Sequence, residues 1–76
     1  MTWADRIELN PEVLLGKPVV RGTRVSVELV LEMLANGVSE ADILANYPRL
    51  TREDVLACVR YAVEVVKRER VVPLSA

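Results

Sequence analysis

The apolar positions change period at Val27. Ahead of it, Ile7 and Leu9 alternate with Arg6 and Glu8, and Val19, Val20, Val25 and Val27 fall in two valine-rich runs. Alternation and β-branched residues predict short strands. One lies around Ile7 and Leu9 and stops at Asn10-Pro11, and two more are expected over 17–21 and 24–27. Residues 11–15 read as a turn or one loose helical turn. Gly22-Thr23 separates the valine runs, and a glycine there permits the positive φ of a tight bend. A small sheet of this kind is marginal in water unless something covers it.

From Val27 onward the spacing is helical. Val27, Val30, Leu31 and Leu34 follow i, i+3, i+4, i+7, with Ser26 placed to cap the first turn and Asn36-Gly37 to end the last. Ser39 with Asp42 opens a second, short helix that Asn46-Tyr47-Pro48 closes. Thr51 with Asp54 opens a third, for which Val55, Val59, Ala62, Val63 and Val66 are the expected core positions. Its opposite face then carries Glu53, Ala57, Arg60, Glu64 and Arg68. The openings SEADILA and TREDVLA look alike, but two copies do not build a solenoid, so the likeness is read as repeated capping chemistry. The pattern predicts a mainly α fold: a three-helix bundle of helix-turn-helix type preceded by a short N-terminal β-hairpin or small sheet. One domain is expected over 1–76, with an extended segment at 5–27, the helical unit at 27–70 and a mobile tail at 71–76.

Composition narrows the class. The chain has 76 residues, 51% of them apolar, and no Phe, so its core must be built from Val, Leu, Ile, Ala and Met. A domain this small supports only modest stability. With a single Cys there is no intrachain disulfide, the first residues are too polar for a signal peptide, and no apolar run spans a bilayer. A cytoplasmic protein without membrane contact is expected. The net charge is −1 but unevenly spread: −2 over 1–12, +3 over 13–27, −4 over 28–48 and +2 from Arg49 onward. Two basic zones flank an acidic middle.

Catalysis has little to work with. There is no His, hence neither the commonest general base nor the commonest metal ligand. Cys58 sits mid-helix among core positions and reads as a small buried hydrophobe. Gly16-Lys17 lacks the upstream glycine and following hydroxyl of a phosphate loop. No enzyme and no cofactor or metal are expected. The basic bend is the better candidate site: Lys17, Arg21 and Arg24 fall within eight residues, and Gly22 and Thr23 let a ligand approach the backbone. Arginine forks pair bidentately with phosphate or carboxylate. Three readings stay open: DNA phosphates, a partner's carboxylates, or the chain's own Glu28 and Glu32. The third helix suits DNA poorly, since Glu53 and Asp54 at its start repel phosphates, although Arg49 and Arg52 beside them can hold the DNA backbone.

The residues that carry a family likeness are Arg6-Ile7, Asn10-Pro11, the block GKPVVRGTRVSV from Gly16, Ala35-Asn36-Gly37-Val38-Ser39, Tyr47-Pro48-Arg49-Leu50-Thr51, Asp54-Val55 and Tyr61-Ala62. Over residues 5–66 the chain resembles domain of unknown function family 433, small bacterial and archaeal proteins. Leu15 departs from the pattern, where a second small residue is expected before Gly16. The resemblance implies a homeodomain-like trihelical fold with a short N-terminal sheet, and kinship with VapB-type antitoxins that pair with a PIN-like ribonuclease toxin. It makes Arg21, Gly22, Thr23 and Arg24 signature positions without giving them roles.

The expected function is therefore an antitoxin-like, non-enzymatic protein that neutralises a PIN-like ribonuclease and, as a homodimer, represses its own operon by binding DNA. Dimerisation is expected from exposed strand edges and a thin core. The rival expectations are a stand-alone DNA-binding regulator and an adaptor module without a nucleic-acid role. The candidate binding residues are Lys17, Arg21, Gly22, Thr23, Arg24, Arg49 and Arg52.

Overall fold

The structure is a computed structural model that describes residues 3–9 and 16–68. A single 3-10 turn, Trp3–Asp5, leads into strand β1, Ile7–Glu8. Strand β2 is Val19–Val20, and three helices follow: α1, Val27–Ala35; α2, Glu40–Asn46; and α3, Arg52–Arg68. The architecture is thus three helices with a small antiparallel sheet ahead of them. The expected turn at 11–15 and the tail at 71–76 lie outside the described residues.

The sheet is shorter than its valines suggest. β1 pairs antiparallel with β2, Ile7 opposite Val20 and Glu8 opposite Val19. Only Val19 and Val20 of the run at 17–21 form a strand. The run at 24–27 gives one isolated bridge, Val19 to Ser26, and a bond from the Val20 N–H to the Val25 carbonyl. The reason is local. Ser26 already caps α1, its hydroxyl accepting the Leu29 N–H at 3.0 Å, so the chain must turn into a helix where a strand would continue.

Caps set the helix limits. α1 ends in a Schellman motif: Val38 N–H bonds the Met33 carbonyl and Gly37 N–H the Leu34 carbonyl, with Gly37 at φ +85°. Ser39 caps α2 by accepting the Asp42 N–H at 3.1 Å. Thr51 and Asp54 cap α3 reciprocally, Asp54 N–H to the Thr51 hydroxyl at 3.2 Å and Thr51 N–H to the Asp54 carboxylate at 2.9 Å.

The core joins every layer: Ile7 and Val20 of the sheet, Val27 and Val30 of α1, Ile43 of α2, Leu50, and Val55, Ala57 and Cys58 of α3. Trp3 packs against it, its ring edge-on to Tyr61 with centroids 5.5 Å apart. The expected core face of α3 needs correction. Val55 is buried, but Val59, Val63 and Val66 are exposed, while Asp54, Ala57 and Cys58 face inward. α3 is apolar on two sides, so periodicity alone does not choose between them. Asp54 chooses: its second carboxylate oxygen takes a 3.0 Å bond from Arg6, which fixes that side of the helix against the N-terminal segment. No helix of the described residues is long and apolar enough to cross a membrane.

Candidate functional site

The bend after β2 is built by its own side chains. Thr23 N–H bonds the Val20 carbonyl at 3.0 Å, closing a four-residue turn with Gly22 third at φ +82°, as a type II turn requires. The Thr23 hydroxyl donates to that same carbonyl at 2.7 Å and accepts the Val25 N–H at 3.0 Å. Thr23 is therefore a fastener whose donor is spent. Twenty-four residues on, Tyr47 ends α2, and its carbonyl accepts the Leu50 N–H at 2.9 Å. Leu50 plugs into the core and Thr51 caps α3, leaving Arg49 outward at the apex of the turn.

These two turns face each other. Arg49 Nη1 donates to the Gly22 carbonyl at 3.3 Å, across 27 positions of sequence. Between them runs an open groove of about 620 Å³. Arg24 and Arg49 line it, with Asn46 and Tyr47 from the end of α2 and Glu8 from β1. Glu8 is 3.6 Å from Arg21. Arg24 is exposed and, among the described residues, makes no hydrogen bond or ion pair. The residues that line the groove thus include two arginines, an asparagine and a tyrosine, residue types that hold anions and planar acceptors, together with the carboxylate-bearing Glu8.

The structure divides the candidate residues. Gly22, Thr23, Arg24 and Arg49 meet in the groove. Lys17 does not: its ammonium pairs with Glu28 at 3.3 Å on an exposed face. Arg21 turns back on the N-terminal segment, donating to the main-chain carbonyls of Asp5 at 2.9 Å and Ile7 at 3.5 Å besides its pairing with Glu8. Arg52 pairs with Glu40 of α2 at 3.3 Å. Such exposed pairs are individually weak, but they occupy these cations. The reading that pairs Arg21 or Arg24 with Glu28 or Glu32 is corrected: Arg21 meets Glu8, Arg24 has no ion pair among the described residues, and the cation beside Glu28 is Lys17. Sequence reasoning missed Glu8, Asn46, Tyr47 and Pro48 as lining residues. The available signal was that the two most specific blocks, around Arg21–Arg24 and Tyr47–Thr51, carry more specificity than their local turns demand.

Cys58 is fully buried in α3, and burial, with the Asp54 charge adding to it, pushes its thiol up to about 12. Among the described residues no three or more of His, Cys, Asp and Glu are grouped to hold a metal ion.

Fold and groove together define a small three-helix protein in which two sequence-distant turns close one basic groove. The chain belongs to the family described as protein of unknown function DUF433, whose model matches residues 7–62. A crystal structure of a DUF433 member protein from Anabaena variabilis is similar to it, with 32% sequence identity and a TM-score of 0.77. The match covers 83% of this chain and 62% of that one, so the chain spans about three fifths of its neighbour's length. No curated protein matches the sequence.

Proposed function

We propose that this chain is an antitoxin-like, non-enzymatic interaction protein. It neutralises a PIN-like ribonuclease by presenting Arg24 and Arg49 to the carboxylates of the nuclease's acidic metal-binding pocket. The observation that carries the reading is the convergence of the two signature turns on one groove, where Arg24 makes no ion pair among the described residues and Arg49 spends one bond on a neutral carbonyl. Clustered carboxylates are a natural target for guanidinium, which pairs with them bidentately and competes with a metal for the same oxygens. The amide of Asn46 and the phenol of Tyr47 supply neutral partners around those charges. In this reading the protein is cytoplasmic and homodimeric, and its dimer represses its own operon by binding DNA. Any phosphate contact draws first on the groove cations, because the outward face of α3 presents Leu56, Val59 and Val63, and its Arg60 and Lys67 stand among Glu53 and Glu64, with Lys67 4.0 Å from Glu64.

Co-expression with the product of the adjacent reading frame is the test, and a PIN-like nuclease is the product this reading expects there. The doubly substituted Arg24→Ala/Arg49→Ala protein, checked for its helix content, is expected to lose capture of the nuclease by about tenfold or more, because removing a charge from a complementary contact costs that much. Lys17→Ala is expected to behave as wild type. Full capture and inhibition by the double variant overturns the proposal. A gel shift on the upstream region that is insensitive to the same double variant overturns the DNA component alone.

A further inference from the structure

The face of α3 turned away from the core carries Leu56, Val59, Val63 and Val66, between 36% and 61% exposed. Their spacing is three, four, three, the a/d pattern of a helix seam, and at 3.6 residues per turn they fall within a sector of about 80°. The opposite side of α3 packs against α1 and the 3-10 turn, so this stripe is not a frayed part of the core. One of its flanks is formed by Glu53, Arg60, Glu64 and Lys67, and the other by Val55 and Ala62 on the core side.

We infer that this stripe is the seam of a homodimer in which α3 packs antiparallel on α3 of a second copy. Charge complementarity selects both the occupant and the direction. A two-fold axis across the helices near Tyr61 sets Leu56 opposite the partner's Val66 and Val59 opposite the partner's Val63. That same axis brings Arg60 beside the partner's Glu64, and Glu53 beside the partner's Lys67. Each contact occurs twice, as an isologous interface requires. Unlike charges therefore meet along the flank while like side chains fill the seam. A parallel pairing sets the charged flank against the partner's Val55 and Ala62 and matches no cation with an anion. Antiparallel packing also places the N-terminal ends of the two 17-residue helices, and with them the two grooves, at opposite ends of a seam about 25 Å long. The inference does not rest on the nuclease reading.

Sedimentation equilibrium of the full chain at micromolar concentration tests it. The expected result is twice the 8.5 kDa chain mass. Val63→Asp, at an exposed position, is expected to give a monomer with unchanged helical circular dichroism. Arg60→Glu is expected to weaken association at least about tenfold at low salt, and Arg60→Glu/Glu64→Arg to restore it. Direction is read by oxidation: mixed Val59→Cys and Val63→Cys proteins are expected to cross-link to each other, and neither to itself. An 8.5 kDa species for the wild type, a dimer untouched by Val63→Asp, or self-cross-linking of Val59→Cys each overturns the inference.

Discussion

Asp54 makes more ordering contacts than any neighbour on α3. One oxygen closes the cap on Thr51 N–H and the other takes the Arg6 guanidinium, in a side chain that is 11% exposed. Asp54→Ala removes both and leaves Arg6 half-enclosed without its anion. The expected loss is about 2–3 kcal/mol in urea unfolding. Asp54→Asn keeps an acceptor for the cap and loses only the charge, so about 1 kcal/mol is expected. Equal losses for the two variants mean that the ion pair, and not the cap, carries the contribution. Cys58 gives a pH signature. Its thiol pKa rises on folding to about 12, so the folded chain holds that proton more tightly than the unfolded one. The associated stability is complete below the unfolded value, about 8.5, and is lost as pH climbs from there through the folded value. At pH 8 a thiol reagent is expected to react roughly a hundred- to a thousand-fold more slowly with native than with denatured protein, since access requires opening. A Cys58→Ser protein whose stability falls equally between pH 9 and 11 assigns the alkaline loss to other groups.

Among the elements, the helix ends and the inward face of α1 were legible, and the inward face of α3 was not. Ser26, Ser39 and Thr51 announce the three starts because each cap is a bond between residues three apart. Gly37 announces a stop through its φ of +85°. No neighbouring atom lies within 4 Å of where a Cβ would stand, so Gly37→Ala has only the backbone cost, about 1 kcal/mol, read as a lower midpoint of thermal unfolding. D-alanine at position 37, introduced by chemical synthesis, is expected to be neutral or stabilising; a loss as large as that of L-alanine excludes the conformational explanation. The inward face of α3 was hidden for a different reason. Leu56, Val59, Val63 and Val66 have the same chemistry as true core positions, and what turns them outward is the contact of Asp54 with Arg6, 48 positions away from it. The groove was hidden likewise. Arg24 and Arg49 each look like an isolated surface cation until Leu50 seats its turn and Arg49 reaches the Gly22 carbonyl.

At the scale of the molecule, the N-terminal segment is a strap that ties the sheet to the helices. It is held at one end by the Trp3 ring on Tyr61, in the middle by Arg6 on Asp54, and along β1 by pairing with β2. Arg21 grips the same strap from the far side through the Asp5 and Ile7 carbonyls, so the bend that shapes the groove is anchored on it. Binding and stability should then separate cleanly between two arginines three positions apart. Arg21→Ala is expected to lower stability by about 1 kcal/mol, since it releases carbonyl bonds that hold the strap. Arg24→Ala is expected to change it by less than about 0.5 kcal/mol, as for an exposed residue without a partner among the described residues. Trp3 is the only tryptophan, so its fluorescence reports the strap alone while far-ultraviolet dichroism reports the helices. If the strap is part of one cooperative unit, the two signals superimpose in urea and Trp3→Ala destabilises the helices by about 2 kcal/mol. Should the fluorescence change come first, at a denaturant concentration where the helices persist, the strap is a separately opening element. The groove wall would then loosen before the fold does, and Arg21→Ala would impair partner capture as strongly as Arg24→Ala.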